Sequence, residues 1–175
     1  MNSHLQFDFL VDKENKTINV KREFNAELPL VWAAYTKPEL LDQWWAPLPY
    51  KNETKTMDFR EGGKWHYSML SPEGQRHYCL FFYLKINELK NFEGKDSFAD
   101  ENANLNNDVP SMFWKTRFAA NGDKTNIHIS IFFDSLKDLE TIIEMGFKEG
   151  FTMGLNQLDT LLQTIKKIRN DQFAI

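Results

Sequence analysis

The sequence predicts an α+β fold, in which a curved antiparallel β-sheet wraps around one long C-terminal helix, with two short helices between the early strands. From residue 139 to residue 169, apolar side chains recur at spacings of three and four, which is typical of one buried helix face. Before this helix, apolar and polar residues alternate in several segments, as they do in strands with one buried face. A helix of this length spans about 45 Å and is therefore able to cross and cover such a sheet.

The N-terminal part is predicted to contain a β-hairpin followed by the two short helices. Residues 1–16 form an N-terminal strand extension, which pairs with a second strand at residues 18–24. Residues 29–35 and 38–45 are predicted as helices, because each has a proline near its start, where the missing N–H is tolerated. Their bulky apolar side chains are expected to close one end of the sheet: Trp32, Leu40, Leu41, Trp44 and Trp45.

A hairpin is predicted around the turn at residues 71–74. A four-residue turn places Trp65 opposite Leu80 and Tyr67 opposite Tyr78, with these side chains toward the helix. The alternate positions then face outward, and their larger or ionisable side chains are His66, His77, Cys79, Phe81 and Tyr83.

A second hairpin is predicted at Asn121-Gly122, a strong signal for a two-residue turn. This turn pairs Phe118 with Thr125 and Trp114 with Ile129, in agreement with the apolar phase of both strands. His128, Phe113 and Phe132 lie in the outward phase of these strands.

The polar segment at residues 95–110 is predicted as a surface loop. Asp100, Asn102 and Asn104 are spaced like the first ligands of a calcium loop, but its required glycine and bidentate glutamate are replaced by Leu105 and Ser111. We therefore predict no metal site.

Three glycines follow one another at spacings of four along the predicted long helix: Gly146, Gly150 and Gly154. Glycine inside a helix costs about 1 kcal/mol relative to alanine, so the spacing predicts that another group approaches this surface closely.

Composition narrows the class of protein. The formal charge of −4 comes from 21 basic and 25 acidic residues without a dense basic cluster, so no nucleic-acid partner is expected. The single Cys79 excludes an internal disulfide and favours a reducing compartment. No signal peptide and no apolar run of about 20 residues is found, which predicts a cytoplasmic protein without membrane contact.

Several strings of the sequence resemble the START-like (SRPBCC, helix-grip) superfamily, and more closely the family named for the activator of the heat shock protein 90 ATPase. These strings are REFNA (22–26), VW (31–32), TKPELL (36–41), QWWAP (43–47), DFREGGKW (58–65), PEG (72–74) and GFKEGF (146–151). The resemblance implies that residues 1–175 form a single START-like domain, with residues 139–169 as the long helix gripped by the sheet. It also implies a cavity between helix and sheet, and it implies no particular reaction.

The first functional hypothesis is a protein that binds a small apolar or aromatic molecule in this cavity. The residues predicted to line the pocket are Arg22, Trp65, Tyr67, Met69, Tyr78, Leu80, Phe82, Trp114, Thr116, Ile129, Phe147, Gly150, Phe151 and Gly154. The alternative is that these side chains pack against each other and leave a solid core.

Two further hypotheses belong to other classes of function. An enzyme is conceivable because some START-like relatives catalyse cyclisation or hydrolysis, but no nucleophile elbow, phosphate loop or dinucleotide motif is found. We therefore predict no catalytic residue and no cofactor. An interaction module, which contacts a chaperone or forms a homodimer, is the other alternative, with Phe81, Tyr83, Phe113 and Phe132 on the outer face of the sheet.

Overall fold

The computed structural model describes residues 5–173, which fold into one eight-stranded antiparallel sheet and helices on its concave side. The strands lie in the order β1-β2-β8-β7-β6-β5-β4-β3. The elements are β1 (Phe7–Asp12), β2 (Thr17–Phe24), α1 (Leu28–Thr36), α2 (Pro38–Leu41), β3 (Lys51–Met57), β4 (Lys64–Leu70), β5 (Arg76–Asn87), β6 (Asn91–Ala99), β7 (Met112–Asn121), β8 (Lys124–Phe132), α3 (Leu136–Glu144) and α4 (Phe147–Phe173). This architecture confirms the predicted α+β fold with the helix-grip arrangement.

The apolar face of α4 packs against the inner face of the sheet. Leu155, Leu158 and Leu162 are fully buried, and the ring of Phe151 lies 5.4 Å from the ring of Trp114 on β7. The predicted stripe with spacings of three and four therefore forms the buried face of this helix. No helix between residues 5 and 173 is long and apolar enough to span a membrane.

The segment predicted as one helix at residues 139–169 is interrupted at Gly146. The backbone of Gly146 has a φ of +88°, a left-handed conformation that ends helices and favours glycine. Helix α3 starts at residue 136, where the Ser135 side chain caps it by accepting a hydrogen bond from the Asp138 N–H at 3.1 Å. Gly146 is therefore the junction between two helices and not a notch within one.

The hairpin between β4 and β5 has a different register from the prediction. Ser71 and Gln75 pair through their backbones, so the loop has three residues and ends at Gly74, with a φ of +91°. A type I turn followed by a left-handed glycine is a common three-residue hairpin loop. Trp65 now lies opposite Phe81. A loop shorter by one residue shifts the pairing by one position, and this shift inverts the two faces of β5.

The inversion moves Cys79, Phe81 and Tyr83 to the inner face, where all three are buried. Of the four aromatic side chains predicted for an outer patch, only Phe113 and Phe132 remain outside, with their rings 6.0 Å apart. The predicted outward orientation of Phe81 and Tyr83 is wrong, because it was based on a four-residue turn and the loop has three residues.

The hairpin between β7 and β8 keeps the predicted faces but not the predicted partners. The loop residues are Gly122 and Asp123, so Asn121 pairs with Lys124 and Trp114 pairs with Ile131. The shift amounts to two positions. Because side chains alternate with a period of two, an even shift leaves the inner and outer faces unchanged.

Strand β6 was not predicted, and its second half falls in the segment expected to be a loop. Its inward positions include Gly94 and Asp96, which interrupt the apolar alternation. A Cβ at Gly94 would lie 2.2 Å from Cε1 of Phe81, so the Phe81 ring occupies the space of a side chain. The polar loop begins only after Ala99, where Asp100 accepts hydrogen bonds from the backbone N–H groups of Asn102 and Asn104.

Candidate functional site

A cavity of about 210 Å³ lies between the inner face of the sheet and the junction of α3 and α4. Strands β4 to β7 form its floor, and the segment around Trp45 and Pro47 forms one side. Ile142, Met145 and Gly146 contribute the opposite side from the end of α3 and its junction. The break in the predicted long helix thus lies at the cavity.

Aromatic rings from α4, β7 and the segment around Trp45 form one wall of the cavity. The rings of Phe147 and Phe151 stack with their centroids 5.4 Å apart and an interplanar angle of 8°. Side chains from two consecutive turns of α4 therefore pack against each other. Trp114 meets both phenyl rings edge to face, at 6.0 and 5.4 Å. Trp45 lies 6.0 Å from Phe151 and 5.9 Å from Trp114. Edge-to-face and offset arrangements are those that aromatic quadrupoles favour.

Polar groups of the cavity are concentrated around Asp96 on β6. The Tyr67 hydroxyl lies 3.3 and 3.4 Å from the two Asp96 carboxyl oxygens and donates to them. The same hydroxyl accepts a hydrogen bond from the Trp45 indole Nε1–H at 3.2 Å. Both Tyr67 and Asp96 are buried, so this chain of hydrogen bonds lies away from bulk water.

The environment of Asp96 favours its protonated form. Burial raises the pKa of Asp96 from its ordinary 3.8 to about 7, although hydrogen bonds from Tyr67 and the Ser97 N–H act in the opposite direction. Burial, together with the nearby Asp96 charge, also raises the pKa of Tyr67 and of the Cys79 thiol. Cys79 is therefore a neutral thiol in the cavity wall rather than a thiolate nucleophile.

Helix α4 fixes the segment that carries Trp44 and Trp45. The Gln157 amide donates to the carbonyl oxygens of Trp44 and Ala46 at 3.0 and 2.8 Å, and its Oε1 accepts from the Leu48 N–H at 2.9 Å. A Cβ at Gly154 would lie 3.4 Å from the Trp45 carbonyl oxygen. This segment is the nearest group to Gly154, but the contact is an ordinary one, so the close approach predicted from the glycine spacing is not supported.

Six of the residues predicted to line a pocket do lie at the cavity: Tyr67, Met69, Trp114, Phe147, Gly150 and Phe151. They come from β4, β7 and the first turns of α4. For these elements, the predicted inner faces agree with the structure.

Three residues predicted for the pocket lie on the opposite face of the sheet: Tyr78, Leu80 and Phe82. The Phe82 ring lies 5.3 Å from the Lys64 ammonium, and the Tyr78 ring lies 5.5 Å from the ring of His66. These positions follow from the inverted faces of β5.

The remaining five predicted residues are on the inner side but outside this cavity. Trp65 and Thr116 border a separate void of about 10 Å³, room for roughly one water molecule. Ile129 is fully buried in the core. Arg22 donates to the Asn156 side chain at 2.9 Å. Gly154 faces the Trp44 and Trp45 carbonyl oxygens.

Asp96, Cys79 and His77 line the cavity although they were not predicted to do so. His77 is exposed and lies opposite Met69, with its ring 6.1 Å from that of Tyr50. His77 and Cys79 were assigned to the outer face by the incorrect register. Asp96 carried no signal of its own, because a carboxylate in a polar segment normally indicates a surface position.

Comparison with solved structures supports the fold over nearly the whole chain. Protein Ms6760 from Mycobacterium smegmatis is 28% identical, with a TM-score of 0.82 over 90% of this chain and 96% of that one. A protein from Arthrobacter aurescens, solved by NMR, is 26% identical, with a TM-score of 0.85 over 90% of this chain and 91% of that one. The AHSA1 protein from Silicibacter pomeroyi, at 19% identity, has a TM-score of 0.68 over 85% of this chain and 98% of that one.

A comparison with curated proteins found no match. The family model described as "Activator of Hsp90 ATPase homolog 1-like protein" matches residues 25–163, from the residue after β2 to the fifth turn of α4. The match agrees with the resemblance noted in the sequence and spans most of the chain, so this protein belongs to the family of Activator of Hsp90 ATPase homolog 1-like proteins.

Proposed function

We propose that the protein binds a small, mostly apolar molecule in the cavity between the sheet and the α3–α4 junction. The observation that carries this proposal is the cavity of about 210 Å³, which the side chains around it leave unfilled. Ligand sites in proteins are typically apolar and aromatic, with few polar groups. The stacked phenyl rings of α4, two indoles and the Tyr67–Asp96 pair match that composition.

The cavity is partly open to solvent, so its volume limits the part of a ligand that it can enclose. An engineered apolar cavity of about 150 Å³ binds benzene, and drug-sized ligands occupy about 300–1,000 Å³. A volume of about 210 Å³ falls between these values. It suits one aromatic ring with a short substituent.

Propylbenzene is a suitable first probe, because it is one aromatic ring with a short, uncharged chain. Two tryptophans, Trp45 and Trp114, line the cavity, so binding should change the intrinsic fluorescence. Binding to the folded state alone should also raise the melting temperature with ligand concentration. A saturable fluorescence change with a matching thermal shift is the expected result.

Cys79→Leu is the variant that blocks the cavity, because Cys79 is buried in its wall and leucine is larger. We expect this variant to weaken propylbenzene binding by about tenfold or more. Phe82→Leu is the matched control on the outer face of the same strand, and it should bind like the parent protein. Equal binding by the parent protein and Cys79→Leu, or no binding by the folded parent protein, contradicts the proposal.

A further inference from the structure

Asp96 is a buried carboxyl group that has no positive partner among residues 5–173. Its hydrogen bonds come from the neutral Tyr67 hydroxyl and the Ser97 N–H. None of the ion pairs found among residues 5–173 includes Asp96. A buried carboxylate that lacks a counter-charge costs several kcal/mol, so carboxyl groups in such places are often functional.

The other ionisable groups near Asp96 do not supply this charge. Tyr67 on β4 and Cys79 and Tyr83 on β5 are neutral acids whose pKa values are raised by burial. His77 lies at the exposed end of the cavity lining on β5. The residues contributed to the lining by β7, α3, α4 and the Trp45–Pro47 segment carry no ionisable side chain.

The rings around the remaining space provide a second attraction for positive charge. Trp45, Trp114, Phe147 and Phe151 line the same cavity as Asp96, with neighbouring ring centroids between 5.4 and 6.0 Å apart. The negative faces of aromatic rings attract cations, and the attraction increases where water is excluded.

From this arrangement, and on the basis of the proposed function, we propose that the ligand is an organic amine whose ammonium group pairs with Asp96 and whose apolar body occupies the aromatic part of the cavity. An ammonium group supplies the counter-charge that residues 5–173 do not provide, and it donates to the carboxylate oxygens. A carboxylate ligand would face like-charge repulsion from Asp96. A neutral ligand would supply no counter-charge to the ionised form of Asp96.

Two probes with equal numbers of non-hydrogen atoms separate charge from shape: 2-phenylethylamine and 2-phenylethanol. At pH 8, calorimetric titration of the parent protein should show that the amine binds about tenfold to a hundredfold more tightly, the range expected of a charge-assisted hydrogen bond. Lowering the pH to 6 protonates Asp96, whose pKa is about 7, and should weaken amine binding while alcohol binding stays constant.

Asp96→Asn removes the charge and keeps a similar shape. In this variant, the amine should bind no more tightly than the alcohol, and alcohol binding should stay within about threefold of the parent value. The pH dependence of amine binding should persist in His77→Gln, which separates the effect of Asp96 from that of the imidazole at the cavity.

The possible results distinguish the two proposals. Binding of the alcohol with equal or weaker binding of the amine at pH 8 overturns the amine proposal and leaves the proposed function intact. Absence of binding by both probes and by propylbenzene overturns both. If Asp96→Asn does not fold, the amine-to-alcohol ratio of the parent protein and its change with pH decide the question.

Discussion

At the scale of single residues, Asp96 is buried and has no positive partner in the described part of the chain, and this combination affects stability as well as binding. Burial raises its pKa in the folded state from 3.8 to about 7. Between these values, the folded protein holds a proton that the unfolded chain has lost. Asp96 therefore makes the folded state less stable as pH rises from about 4 to about 7, after which its contribution is constant.

Asp96→Asn should remove this pH dependence. The asparagine keeps a polar group beside Tyr67 and carries no charge at any pH. The free energy of unfolding of the variant, relative to the parent protein, should rise by about 2–4 kcal/mol between pH 4 and pH 8. Urea denaturation at the two pH values measures this difference. A difference between variant and parent protein that does not change with pH contradicts the raised pKa of Asp96.

At the scale of elements, two glycines near the start of α4 should respond to alanine with opposite signs. Gly146 has a φ of +88°, so Gly146→Ala should lower the free energy of unfolding by about 1–2 kcal/mol. Gly150 is helical, and a Cβ there would lie 3.6 Å from Cγ of Pro47, an ordinary contact. Gly150→Ala should therefore raise the free energy of unfolding by up to about 1 kcal/mol.

Both variants can be compared by urea denaturation under the same conditions. Each variant serves as the control of the other, because both add the same methyl group at positions only four residues apart. Equal effects of the same sign would mean that the break between α3 and α4 does not depend on the left-handed residue.

Loop length explains why some predicted faces are correct and others are not. In the β7–β8 hairpin, the predicted partners were displaced by two positions, and Trp114 still faces the cavity. In the β4–β5 hairpin, the pairing is displaced by one position, so Cys79 lies on the inner face where Leu80 was predicted. Alternation alone could not decide the faces of β5, because both of its faces carry large apolar side chains.

Strand β6 could not be predicted from its own sequence, because its inward-facing Gly94 and Asp96 are explained by contacts with residues from other strands. Gly94 makes room for the Phe81 ring, which comes from the neighbouring strand. Asp96 faces Tyr67, which is far away in sequence and close only in the folded protein. By contrast, the buried stripe of α4 depends on local spacing, and the sequence alone was sufficient to predict it.

At the scale of the whole molecule, the cavity lies where the sheet, the helix junction and the Trp45 segment meet. The sheet provides the polar end through Tyr67 and Asp96, whereas α4 provides stacked phenyl rings. Gln157 holds the Trp45 segment against α4. Binding at the cavity therefore involves three separate parts of the chain, and filling it should stabilise their mutual packing.

Methionine methyl groups offer the most direct test of ligand binding in the cavity. Met69, Met112 and Met145 line the cavity, whereas Met57 and Met153 do not. With ¹³C-labelled methionine methyl groups, propylbenzene should shift the NMR signals of the three lining residues in a saturable way and leave those of Met57 and Met153 in place. Shifts confined to Met57 or Met153, or no saturable shift at any methionine, would contradict binding between the sheet and the α3–α4 junction.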